Sequence, residues 1–124
     1  RIRTNAEISS FIQNMMCLPE RKKGRHFPHV TVMYANDDRE ADVLLSDAQH
    51  QGYQVILNEA EPAICADRLA MVLDQRYFYD RQNYLRSDDR SVRRLFHQLN
   101  GAKEELLLVV KQNEPLYAVL LDLL

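Results

Sequence analysis

Four groups of residues carry side chains whose types and spacing could do chemistry. Asn36-Asp37-Asp38 places two carboxylates and an amide in a row just after the extended run His29-Val-Thr-Val-Met-Tyr34, at the kind of strand end where open α/β sheets bind ligands. Such acids could hold a metal ion, or one of them could cap the helix that begins there by accepting free first-turn N–H groups. His29 and Thr31, two residues apart on a strand, share one face. Arg21, Lys22, Lys23 and Arg25 form the one concentrated positive patch and are the candidate nucleic-acid site. Arg76, Arg81, Arg86, Arg90, Arg93 and Arg94 are scattered among and after Tyr77, Phe78, Tyr79 and Tyr84. That mixture suits stacking on bases or packing in a protein interface. Asp74, Asp80, Asp88 and Asp89 lie among them, so a salt-bridged solvent face is the competing reading.

Other chemistry is poorly supplied. The glycines are Gly24, Gly52 and Gly101 alone, so there is no glycine-rich phosphate loop, and no Gly-x-Ser-x-Gly nucleophile turn occurs. Cys17 and Cys65 each sit among apolar residues and read as two buried thiols of a reducing compartment, with a disulfide between them as the alternative. No Cys-x-x-Cys or histidine cluster has the spacing of metal ligands. No catalytic residue, metal or cofactor is expected.

Hydrophobic periodicity defines the elements that must position these groups. Ile8, Phe11, Ile12, Met15 and Met16 give an N-terminal amphipathic helix that Pro19 ends, and a basic linker follows to residue 27. Pro28 to Leu57 reads as strand, helix and parallel strand. Its helix carries Ala41, Leu44, Leu45 and Ala48 on one face, and Gly52 supplies the stop. Pro62 followed by Ile64, Cys65, Leu69, Val72 and Leu73 predicts a second buried helix. Gln75 to Arg86 could continue that helix or run as a loop. Ser87 is a candidate cap for a helix bearing Val92, Leu95, Phe96 and Leu99, with Asp88 and Asp89 at its positive end and Asn100-Gly101 closing it. Glu105 to Val110 has the continuous apolar character of a strand buried on both faces. Asn113-Glu114-Pro115 opens a last helix with Leu116, Val119, Leu120, Leu123 and Leu124, a strand over Tyr117 to Leu121 being the competing reading.

These elements predict one α/β domain over residues 1–124. Residues 1–27 form the N-terminal helix and linker, and 28–124 form a three-layer core with a short, mainly parallel sheet and helices on both faces. A net charge of −2, from 16 basic and 18 acidic side chains, excludes a global attraction to nucleic acid or anionic lipid. No apolar run is long enough to span a bilayer, so no membrane partner is expected. Because the chain opens on Arg1 and closes on Asp122-Leu123-Leu124, it is expected to be part of a larger intracellular protein, nuclear or cytoplasmic. The two terminal helices carry more apolar residues than one face needs. This predicts an interface through Phe11, Met15, Leu116, Leu120 and Leu123, with Tyr77, Phe78 and Tyr84 as the alternative surface.

Two families resemble the opening unit. His29 to Tyr34, Arg39 to Gln51 and Gln54-Val-Ile-Leu57 are similar to the first strand, helix and second strand of the anticodon-binding domain of class II tRNA synthetases and its non-catalytic relatives among nuclear receptor coactivators. Glu105 to Val110 resembles that family's third strand. Val30 to Leu57 also resembles the start of a TIR domain, although no NAD-cleaving residue carries over. His29-Val-Thr-Val32 is similar to one of the two His-x-Thr motifs of two-histidine phosphoesterases, and the acids of 36–38 to those of phosphotransfer receivers. The phosphorylatable aspartate that a receiver requires is missing after Leu57. Together these features lead us to expect a non-catalytic binding module for a protein partner or a second copy of itself. An RNA-binding anticodon-binding-like domain and a degenerate TIR or receiver-like signalling domain are the alternatives.

Overall fold

The computed structural model describes residues 5–88 and 92–124. In chain order the elements are α1 (Ala6–Met16), β1 (Val30–Ala35), α2 (Asp38–His50), β2 (Gln54–Ile56), β3 (Ala66–Leu73), β4 (Tyr77–Tyr79), β5 (Leu85–Ser87), α3 (Arg93–Leu99), β6 (Ala102–Lys111) and α4 (Glu114–Leu123). A single 3-10 turn, Leu18–Glu20, follows α1. Four strands form one parallel sheet in the order β1-β6-β3-β2, and β4 pairs with β5 as an antiparallel hairpin.

The sheet separates two apolar layers. On one face α2 packs Ala41, Leu45 and Ala48 against Ala35, Ala70, Val72, Leu107 and Val109. On the other, α1, α3, α4 and the hairpin enclose a larger core that includes Phe11, Met15, Leu69, Met71, Leu73, Tyr77, Leu95, Leu106, Leu108, Leu116 and Leu120. The architecture is therefore α/β with helices on both faces, as the sequence predicts. β1 and β2 run parallel, but they are not neighbours: they occupy opposite edges, with β6 and β3 between them.

Residues 66–73, expected to be helical, are instead the strand β3. As a central strand it is buried on both faces. Leu69, Met71 and Leu73 enter one core while Ala70 and Val72 enter the other, so apolar residues fill both phases of a period-two pattern and alternation disappears. Gln75 to Arg86 is neither helix nor loop but supplies the β4-β5 hairpin. Its turn is held by Asp80, whose Oδ1 accepts from the backbone N–H groups of Gln82 (2.9 Å) and Tyr84 (3.0 Å). Asn83 takes the left-handed conformation there, at φ 63°, as asparagine tolerates better than most residues. Ser87 is therefore in β5 and does not cap α3, whose cap position is Val92; Asp89 lies outside the described residues.

Side-chain caps elsewhere follow the sequence closely. Asn5 accepts from Glu7 and Ile8 at the start of α1, Asp37 from Glu40 at the start of α2 (2.8 Å), and Asn113 from Leu116 at the start of α4 (3.2 Å). Gly101 has a reason beyond closing α3. A Cβ built there would lie 1.9 Å from the backbone oxygen of Ile64, so only glycine admits the 57–65 connection. Gln98 ties the same connection down, its Nε2 donating to the carbonyls of Asn58 (3.3 Å) and Glu61 (2.7 Å). Both cysteines are free. Cys17 is half-buried and Cys65 exposed, which corrects the expectation of two buried thiols.

Candidate functional site

The acids at the end of β1 are occupied structurally. Asp37 caps α2, and Asp38 forms an ion pair with Lys111 at the end of the neighbouring β6 (2.6 Å). His29 is exposed just before β1. Among the described residues no group of three or more His, Cys, Asp or Glu is placed to hold a metal ion, and no helix is long and apolar enough to cross a membrane.

Most of the proposed interface residues lie inside the molecule. Phe11, Met15, Tyr77, Leu116 and Leu120 are fully buried and Leu123 nearly so, because α1 and α4 turn those stripes onto the sheet and onto each other. They offer no surface to a partner. Phe78 and Tyr84 are the exceptions. Phe78 is 48% exposed in a groove of about 370 Å³ between the hairpin and α4, and Tyr84 is exposed beside the guanidinium of Arg86. The arginines nearby are largely paired: Arg76 with Asp74 (3.2 Å) and Arg86 with Asp80 (2.8 Å). The backbone N–H of Tyr84 and then Arg86 hold the Asp80 carboxyl below its ordinary range. Tyr79 donates to the carbonyl of Met15 (2.7 Å) and Tyr77 to the Glu59 carboxylate (3.1 Å). Burial pushes both phenols up, and the charge of Glu59 adds to the effect at Tyr77.

The basic segment is held in place from beneath. Buried Asn14 brackets the backbone of Lys22, accepting from its N–H (2.9 Å) and donating to its carbonyl (3.3 Å). Lys22, Lys23 and Arg25 project into solvent, while Arg21 is half-buried and donates to the Leu18 carbonyl. Asp122 of α4 lines the same depression and dilutes the patch.

The surface with the clearest unmet bonding capacity is the outer edge of β1. In the ladder with β6, Val30 lies opposite Leu106 and Ala35 opposite Lys111, and the carbonyls of His29 and Ala35 accept from Leu106 and Gln112 (both 2.9 Å). Residues 29, 31, 33 and 35 thus bond inward, and Val30, Val32 and Tyr34 direct their N–H and C=O groups away from the sheet. The Val30 N–H is taken by the Phe27 carbonyl (3.1 Å), and the next outward N–H, of Asn36, by the Glu40 carboxylate (2.9 Å). Among the described residues this leaves two donors, Val32 and Tyr34, and three acceptors, Val30, Val32 and Tyr34, without a protein partner.

Apolar groups flank that edge on both sides. Met33 is 37% exposed because a single helix, α2, cannot cover four strands, and Val43 on α2 is 63% exposed beside Tyr34 and Leu44. On the opposite face Tyr34 packs on Tyr117 of α4, ring centroids 5.0 Å apart, and one turn further along α4 Leu121 is 45% exposed. The periodicity hides these residues, since Val43 and Leu121 fall off the buried stripes. The signal in the sequence was the complete absence of charge from Val30 to Ala35. Comparison of the chain with protein families, with curated proteins and with solved structures found no match.

Proposed function

We propose that the domain is a non-catalytic binding module that takes up a protein partner by strand addition along β1. The observation that carries this is the edge itself: a six-residue strand with outward donors and acceptors unmet, no charge and no proline. Natural edges are ordinarily blunted by lysine, proline or a bulge, and a strand left without such protection is suited to main-chain pairing with another chain. The chemistry-capable acids support the same reading, because Asp37, Asp38, Asp74 and Asp80 are engaged in caps and ion pairs.

The test is selection of extended peptides from a display library by the domain, repeated with Val32→Pro. The substitution removes an outward N–H and none of the bonds to β6. Binding that is lost in the variant supports the reading. Peptides that bind both proteins equally overturn it, as does salt-sensitive RNA retention that requires Arg21, Lys22, Lys23 and Arg25.

A further inference from the structure

We infer that the occupant of this edge is a second copy of the chain, the two β1 strands pairing antiparallel about a two-fold axis at Val32 to make one continuous sheet of eight strands. The inference rests on the reading of β1 as the binding edge and names what binds it.

The pattern of free backbone groups is self-complementary across a two-fold axis. With the axis at Val32, each Val32 exchanges its N–H and C=O with the other, and each Tyr34 N–H meets the other copy's Val30 carbonyl. All four free donors of the pair are then satisfied. The two symmetry-related bonds that the ideal ladder would add, from each Val30 N–H to the other copy's Tyr34 carbonyl, are not formed, because that N–H already donates to Phe27.

The side chains agree with this alignment. Across the seam it sets Val32 against Val32, Val30 against Tyr34 and Thr31 against Met33. These are aromatic, β-branched and neutral pairs of the kind that stabilise antiparallel strands, with no like charges opposed. The two-fold also brings together the flanks. Met33 and its copy are covered on the α2 face, and the exposed Leu121 on each α4 is carried toward the seam by its neighbour Tyr117, which rests on Tyr34. An isologous interface requires one patch to complement itself, and an uncharged strand whose two free donors each find an acceptor on the other copy does so.

Sedimentation of the domain from low to high micromolar concentration should show a monomer passing to twice the mass. Val32→Pro should remain monomeric. Met33→Lys, at a side chain already open to solvent and outside the core, should weaken association by about tenfold or more, which is about 1.4 kcal/mol or more, without lowering the melting temperature. Amide exchange should show Val32 and Tyr34 protected at high concentration and open when dilute. A dimer in which those two amides stay unprotected, or one that survives Met33→Lys and Val32→Pro, overturns the inference. So does a strict monomer at high micromolar concentration. If that monomer still selects peptides that Val32→Pro loses, the strand-addition reading stands and only the identity of the partner falls. If it selects none, both fall.

Discussion

Gly101 and the two buried tyrosines show how single positions constrain this molecule. Gly101→Ala would drive a methyl group into the Ile64 carbonyl, which sits 1.9 Å from the ideal Cβ position. Because the obstacle is backbone, the 57–65 connection must shift. We expect a loss of about 1–3 kcal/mol, the usual range for overpacking, read by chemical denaturation. Tyr77 and Tyr79 have phenols raised above their ordinary value of about 10. The folded state therefore keeps these protons when the unfolded chain has released them. Stability from this source is fully present below pH about 10 and declines as pH rises beyond it. Denaturant midpoints measured at neutral pH and at pH about 11 should differ, and Tyr79→Phe should shrink the difference. An undiminished difference in the variant would remove Tyr79 from the account. Asn14→Ala should cost about 1–3 kcal/mol, because it strips two bonds from the Lys22 backbone in a partly buried setting.

Burial by element sets the severity of core substitutions. Val109 lies fully buried in the central strand β6, between α2 and its neighbouring strands, and Val109→Asp should abolish the cooperative melting transition by burying an unpaired carboxylate. Leu44 on α2 is only half-buried at the margin of the same cluster. Leu44→Asp should lower the melting temperature while leaving a folded domain. The hairpin should respond to acid through Asp80. Asp80 titrates below its ordinary value because Tyr84 and Arg86 hold its anionic form. That support is present above pH about 4 and is lost as pH falls through the lowered value, so proteolysis within 80–86 should accelerate in acid and in Asp80→Ala at neutral pH. The same elements explain what could be read from the sequence. α1, α2, β1 and α4 each show one apolar period, β6 shows a continuous apolar run of strand length, and all five are legible. β3 is not, because its two buried faces erase alternation, and the hairpin is not, because its two strands are only three residues each. The open edge depends on which strand ends up outermost, and strand order is a property of the assembled sheet.

For the whole molecule, the net charge is small, −2. Replacing Arg21, Lys22, Lys23 and Arg25 together by alanine should leave the melting temperature and the oligomeric state unchanged, since the loop is fixed through the Lys22 backbone and Asn14. A fall in either would show that those side chains support the fold. The strand order has a different consequence, for synthesis. β6 is the last of this sheet's strands in chain order, yet it sits between β1 and β3 and is, among the described residues, the one strand bonded to β1. Until residues 102–111 emerge, β1 has no neighbour on either side. A nascent chain thus carries an uncharged strand without its neighbour while residues 36–101 are made, and closing the sheet requires contacts between the first and last thirds of the domain. Such distant pairing folds slowly. The interval before β6 arrives is the stage at which this chain should depend most on a chaperone.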